Sequence, residues 1–277
     1  MRLTSFGRIA EPLPLIGQGT WKMGESKASR ADEAAALQRG LDYGMNLIDT
    51  AEMYADGGAE EVVGEAIAGR RDEVFLVSKV LPDNASRAGT VEACERSLKR
   101  MGTDTIDLYL LHWPGEHPLA DTIAAFQELR EAGKIRYWGV SNFRMADLHE
   151  CERIAVGENV TNQVLYNLQR RGIEHEMRDW CRQNGVMVMA YSPLDQLRLT
   201  HKQQLKEVAA RHKVTPEQIA LAWCIRRKGF ITIPKSGNHQ RIKQNAAAVD
   251  IQLTEQDLGD LNKGYPLPDS SAELECL

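Results

Sequence analysis

The sequence predicts an α/β protein built as a closed (β/α)₈ TIM barrel, and three observations lead there. Short runs rich in Val, Ile and Leu alternate with helical patterns along most of the 277 residues. Eight such alternations over this length favour a closed parallel barrel over an open doubly wound sheet. Finally, three successive apolar runs end in reactive side chains: Asp49, with Tyr54 just beyond, in LIDTAEMY, Lys79 in VFLVSKV and His112 in LYLLHW. The C-terminal strand ends of a barrel are the face that carries active sites.

Each element has its own warrant. The first strand reads LPLIGQGT, followed by a helix over 30–43. The second and third strands end at Asp49 and Lys79, with a helix over 60–69 between them. Helical spacing then marks 90–101, the fourth strand is 106–111, and a helix over 120–132 precedes the strand 135–140. A helix at 145–156 and a strand at 160–165 follow, then a helix around 174–183 and the strand 186–190. Helices at 202–212 and 216–227 lead to the eighth strand, 230–233, and to a helix near 240–248. Thr215-Pro216 and Thr254 sit at N-cap positions, with Glu217 and Glu255 in the first turns. The tail from 265, with two prolines and several acidic residues, is expected to be irregular. Nothing marks an internal boundary, so 1–277 reads as one domain.

Composition narrows the function. A net charge of −5 with both signs interspersed offers no footprint for nucleic acid or an anionic membrane. The N-terminus lacks a signal-like apolar region and no run approaches the ~20 apolar residues of a membrane helix, so a cytoplasmic protein is expected. Cys94, Cys151, Cys181, Cys224 and Cys276 are scattered, odd in number and without a CxxC pair, which fits reduced thiols. His112 and His117 have no third ligand at metal-site spacing, so no metal is expected.

Gly17-Gln18-Gly19 lacks the full GxGxxG pattern and does not open a helix, which removes the usual dinucleotide-fold argument. IPKSGNHQR, 233–241, follows the eighth strand and opens a helix, the place where barrels commonly hold phosphate. Lys235, Ser236 and Arg241 there supply two cations and a hydroxyl suited to a phosphomonoester.

The motifs GMNLIDTAEMY, VFLVSKV, IDLYLLHWP, LREAGKIRYWGVSNF, AYSPL and IPKSGNHQR occur in this order. On them the chain resembles the aldo-keto reductase family, over about 15–261, and especially its bacterial methylglyoxal and small-aldehyde reductases. The resemblance implies a barrel that reduces aldehydes and ketones with NADPH, as a cytosolic protein and commonly a monomer. It implies Tyr54 as general acid, Lys79 lowering the phenol's pKa, Asp49 holding the lysine charged, and His112 orienting the substrate carbonyl. By the same resemblance Asp49 would also border the cofactor. Tyr191 would stack on the nicotinamide, and Ser141, Asn142 and Gln163 would bind its carboxamide. Ser192 and Leu194 would contact the pyrophosphate and Thr20 the ribose. Lys235, Ser236 and Arg241 would hold the 2′-phosphate, with Asn245 near the adenine.

The chain departs from the family at Gln244, where many members carry a glutamate beside the adenine. The loops 113–118 and 192–200 are short, which predicts an open site lined by Trp21, Tyr54, His112 and Trp113, suited to small aldehydes such as methylglyoxal. Taken singly, Asp49 reads as a turn former and His112 as a core histidine, and it is the joint pattern that outweighs these; a plain helix-surface charge is the lesser alternative for Arg241. Two rivals use the same barrel: a cofactor-binding regulatory subunit, and a Schiff-base aldolase with Lys79 as nucleophile.

Overall fold

The computed structural model describes residues 1–26, 29–269 and 274–276. Two short antiparallel strands, β1 (Leu3–Thr4) and β2 (Leu13–Pro14), precede β3 (Gln18–Gly19). The chain then alternates α1 (Arg30–Asp42), β4 (Leu47–Asp49), α2 (Gly58–Ile67), β5 (Phe75–Val80), α3 (Arg87–Met101) and β6 (Ile106–Leu111). It continues through α4 (Leu119–Glu131), β7 (Ile135–Ser141), α5 (Met145–Ile154), β8 (Asn159–Leu165), α6 (Met177–Asn184) and β9 (Met187–Tyr191). Last come α7 (Gln203–His212), α8 (Pro216–Cys224), β10 (Phe230–Thr232), α9 (His239–Ala247) and α10 (Glu255–Gly264).

Strands β3 to β10 pair in sequence order, every pair parallel. The first and last then meet: Gly17 N donates to Thr232 O at 2.8 Å and Thr232 N to Leu15 O at 3.0 Å. The eight-stranded ring is thereby closed, so that its first and last strands pair with each other rather than standing as open edges. The GQG cluster serves this closure. A Cβ at Gly19 would lie 2.7 Å from Ile233 O, so only glycine lets the first strand sit this close to the eighth.

Alternation along the strands decides what fills the barrel. Leu47, Phe75, Val77, Leu108, Leu110, Met187, Met189 and Ile231 form its interior, closed from below by Ile9 and Leu13. In the same parity, one step further along, stand Asp49, Lys79, His112 and Tyr191. The opposite parity, including Ile48, Leu76, Tyr109, Trp138 and Val188, packs against helices through residues such as Val62, Phe126 and Trp223.

The strands and helices anticipated from sequence are present, with shifts at their ends. The run 13–20 is broken between β2 and β3, and the helix anticipated over 174–183 begins at Met177 after a 3₁₀ turn. Thr215 and Thr254 both form capping boxes, with Gln218 and Asp257. The tail departs from expectation at its start: Tyr265 is 1% exposed and its hydroxyl donates to Leu199 O at 2.5 Å. Further on, residues 270–273 and 277 lie outside the described residues. Cys94, Cys151, Cys181 and Cys224 are buried and free, with burial pushing each thiol up to about 12.

Candidate active site

Parallel pairing places β4, β5 and β6 side by side, so Asp49, Lys79 and His112 emerge together at the barrel rim. Lys79 Nζ, fully buried, donates to Asp49 Oδ2 at 2.8 Å, to Thr50 O at 2.8 Å and to Tyr54 Oη at 3.3 Å. Asp49 Oδ1 accepts from Gln163 Nε2 at 2.7 Å, which ties the pair across the barrel to β8. The His112 ring meets the Tyr54 ring edge-on, centroids 5.7 Å apart, and Trp113 lies 4.8 Å from His112.

The environment sets three protonation states. Burial alone would lower the Lys79 pKa, but Asp49 and Tyr54 outweigh it and hold the ammonium above its ordinary value. Such a lysine, donating to three oxygens, has no lone pair to offer a carbonyl, which counts against the Schiff-base reading. His112 is pushed down to about 2 by burial and by the Lys79 charge, so its imidazole is neutral and can donate one N–H to a carbonyl oxygen. Its Nδ1 is buried without a partner. Tyr54 corrects one expectation. Lys79 does pull its pKa down, but burial, assisted by Asp49, pushes harder, and the phenol stands above its ordinary 10. It is therefore fully protonated at neutral pH, the form an acid must have.

Beside these residues lies a pocket of about 180 Å³, lined by Trp21, Met53, Tyr54, His112 and Trp113 on one side and by Ser141, Asn142, Gln163 and Tyr191 on the other. The second set is cross-linked. Ser141 Oγ donates to Gln163 O at 2.9 Å, Asn142 Nδ2 to His112 O at 3.1 Å, and Tyr191 Oη to Asn142 Oδ1 at 2.9 Å. Gln163 spends its amide nitrogen on Asp49 and retains Oε1 as an acceptor. Thr20 Oγ1 donates to Asp49 O at 3.0 Å, beneath the same pocket.

Past Ser192 and Pro193 the pocket runs on into a groove of about 620 Å³. Ser192, Leu194, Lys235, Ser236, Arg241, Gln244 and Asn245 line it, so the residues selected from AYSPL and IPKSGNHQR do converge. Asn238 caps α9 by accepting from Arg241 N at 3.0 Å, which leaves the Arg241 guanidinium outside the cap. Lys235 and Arg241 are both exposed, and neither has an ion-pair partner among the described residues. The sequence reading missed Met53, Lys22, Gln196, Leu197 and Glu217, which also line these cavities. For Lys22, Gln196 and Leu197 the signal lies in the backbone. Among the described residues, every non-glycine with positive φ except Lys213 stands on a rim loop. Left-handed residues of this kind concentrate at functional sites.

A long groove that ends in unpaired cations and opens, at the other end, onto a buried lysine–tyrosine pair is the form of a site for an extended anionic cofactor. The aldo/keto reductase family model matches residues 15–265. The chain belongs to the aldo/keto reductase family. This aldo/keto reductase is 48% identical over 271 residues, 96% of its length and 95% of the relative's, to the methylglyoxal reductase YeaE of Escherichia coli (strain K12). It is 35% identical over 253 residues, 90% of its length and 88% of the relative's, to the glyoxal reductase of Bacillus subtilis (strain 168). Among solved structures, an aldo/keto reductase from Klebsiella pneumoniae in complex with NADP and acetate superposes with a TM-score of 0.96. Identity there is 48%, with 99% of both chains covered.

Proposed function

We propose that this aldo/keto reductase reduces small aldehydes and ketones, methylglyoxal among them, to alcohols with NADPH. The observation that carries the reading is the Asp49–Lys79–Tyr54 chain ending beside neutral His112 in the pocket that continues into the groove. The groove residues fit NADPH: Lys235 and Arg241 offer two unpaired cations where a 2′-phosphate would lie, with Ser236 between them in sequence and Asn245 close by. Ser192, Leu194 and Thr20 would hold the pyrophosphate and ribose, and the Tyr191 ring with Ser141, Asn142 and Gln163 would fix the nicotinamide. Bound there, the cofactor supplies the hydride that no side chain can.

The protein's own groups do the rest. His112 donates to the carbonyl oxygen and orients it. As negative charge grows on that oxygen, Tyr54 passes it the phenolic proton, and the Lys79 ammonium stabilises the phenolate left behind. Asp49 keeps Lys79 charged and in place. The substrate half of the pocket, Trp21, Met53, Tyr54, His112 and Trp113, holds no ionised group, which suits small uncharged carbonyl compounds. The named activities of the E. coli and B. subtilis relatives support the same substrate class. We further infer that 1–277 acts as one unit, supported by the β3–β10 closure and the extent of the family match, and as a cytoplasmic monomer.

NADPH oxidation by the purified protein, run against a panel of small aldehydes with NADH alongside, tests this. Aldehyde-dependent oxidation selective for NADPH is expected. Oxidation equally fast with NADH, or better kcat/KM for a bulky steroid ketone than for methylglyoxal, would contradict it.

A further inference from the structure

Tyr54 stands on a stretch that has little regular structure to hold it. The 3₁₀ turn Tyr54–Gly57 carries two consecutive left-handed non-glycine residues, Ala55 at φ 52° and Asp56 at φ 52°, before α2 begins. Such residues cost of order 1 kcal/mol each and persist only when their surroundings fix them. Two buried carboxylates flank this turn; one reaches the strand that carries Lys79 and the other the residues just past its end. Before it, Glu52 Oε1 accepts from Leu81 N at 2.8 Å and from Asn84 Nδ2 at 3.0 Å. After it, Glu60 Oε1 accepts from Ser78 Oγ at 2.6 Å. Ser78, in β5, and Leu81, just past its end, bracket Lys79 in sequence, so the turn is tied to the chain on both sides of the lysine.

Helix α3 completes the arrangement. Arg96 and Arg100, one turn apart, approach the two carboxylates: Arg96 Nη2 lies 3.6 Å from Glu52 Oε2 and Arg100 Nε 2.5 Å from Glu60 Oε2. Glu52 is 8% exposed and Glu60 0%. Burying two ions is expensive unless they are paired, and well-packed apolar residues would commonly be as stable. What carboxylates provide here is a directional tie from the tyrosine turn to the lysine strand.

We propose that Glu52 and Glu60 are positioning residues that set the Tyr54–Lys79 distance, and so the readiness of the phenol to give up its proton. This rests on Tyr54 being the acid. The titratable and charged groups facing Tyr54 are Asp49 from β4, Lys79 from β5 and His112 after β6, and of these Lys79 lowers its pKa. Loosening the tie lets Tyr54 drift from Lys79 and raises the phenol's pKa further.

The test compares Glu52→Ala, Glu52→Gln and Ser78→Ala with wild type and Tyr54→Phe, reading kcat, the pH profile of kcat and NADPH binding by fluorescence. A displacement of about 1 Å at reacting groups costs up to about a hundredfold in rate, and that is the fall in kcat expected for Glu52→Ala. Its alkaline limb should move to higher pH, NADPH affinity should stay within about twofold, as the ties touch no groove residue, and Glu52→Gln, which keeps the acceptor for Leu81 N, should recover most of the rate. If Glu52→Ala does not fold, Ser78→Ala, which leaves both carboxylates, provides the same readings. Wild-type kcat, or a lower kcat with an unmoved alkaline limb, overturns the proposal. An active Tyr54→Phe would instead overturn the assignment of the acid.

Discussion

Replacing Lys79 with methionine separates two roles that the structure gives this one side chain. The ammonium lies 3.3 Å from Tyr54 Oη. At an effective dielectric of about 20, a full phenolate at that distance is stabilised by about 5 kcal/mol. A transition state with the proton about half transferred would lose about half of this, a fall in kcat of roughly seventyfold. The second role is structural. Asp49, 2% exposed, loses its cation and keeps the 2.7 Å bond from Gln163. Leaving one member of a buried ion pair costs about 3–5 kcal/mol, or roughly 10 °C in Tm for a chain of this size. Lys79→Met with Asp49→Asn should therefore regain much of the stability and none of the turnover, a coupling that a double-mutant cycle isolates. The assay is NADPH oxidation at saturating cofactor and methylglyoxal, with thermal unfolding of the same samples. A folded, NADPH-binding Lys79→Met protein with kcat within about threefold of wild type would refute the reasoning.

Tyr54→Phe should keep NADPH binding and reduce kcat by about two to four orders of magnitude, because in the proposed mechanism it removes only the proton donor; unchanged turnover would mean another acid. Arg241→Ala should weaken NADPH far more than NADH in fluorescence titrations, since only the former carries a 2′-phosphate, and equal losses would reject that contact. With His112 pushed down to about 2, kcat/KM should show no acid limb near pH 6.5; such a limb, abolished in His112→Gln, would show a protonated imidazole. Asp257 caps α10 and accepts from His212 Nε2 at 2.7 Å and Arg211 Nε at 3.0 Å, which with the Thr254 bonds hold its carboxyl below the usual range despite burial. A depressed carboxyl pKa stabilises the fold above its unfolded value of about 3.9 and loses that contribution as pH falls towards the folded value. Wild type should thus exceed Asp257→Asn in Tm at neutral pH, with the gap narrowing below about pH 4; a gap that is constant with pH would exclude the ionic contribution.

How far the sequence carried the argument differs between barrel and rim. Strand order follows from the alternation of apolar runs with helical patterns, and the emergence of Asp49, Lys79 and His112 at one rim from each run ending on its polar residue. The groove was legible from position too, since Lys235 to Asn245 span the loop after the eighth strand and the helix it opens. Other features depend on contacts that no local pattern announces. Glu52 and Glu60 carry no signal in their own neighbourhood, because the Arg96 and Arg100 that meet them lie on α3. The sign of the Tyr54 shift was missed because the lysine is visible in sequence whereas the extent of burial is not. Tyr265 was assigned to an irregular tail because its anchor, Leu199 O, lies 66 residues away in sequence.

The most direct measurement follows the hydrogen itself: NADPH deuterated at the nicotinamide C4 is consumed with methylglyoxal in ordinary water, and the product alcohol is examined by NMR. If Tyr191, Ser141, Asn142 and Gln163 hold the nicotinamide as proposed, they present a single face, so deuterium should appear on the former carbonyl carbon from only one of the two C4 epimers, and Tyr54→Phe should all but stop its transfer. Deuterium absent from that carbon, or delivered equally from both epimers, would contradict the site described here.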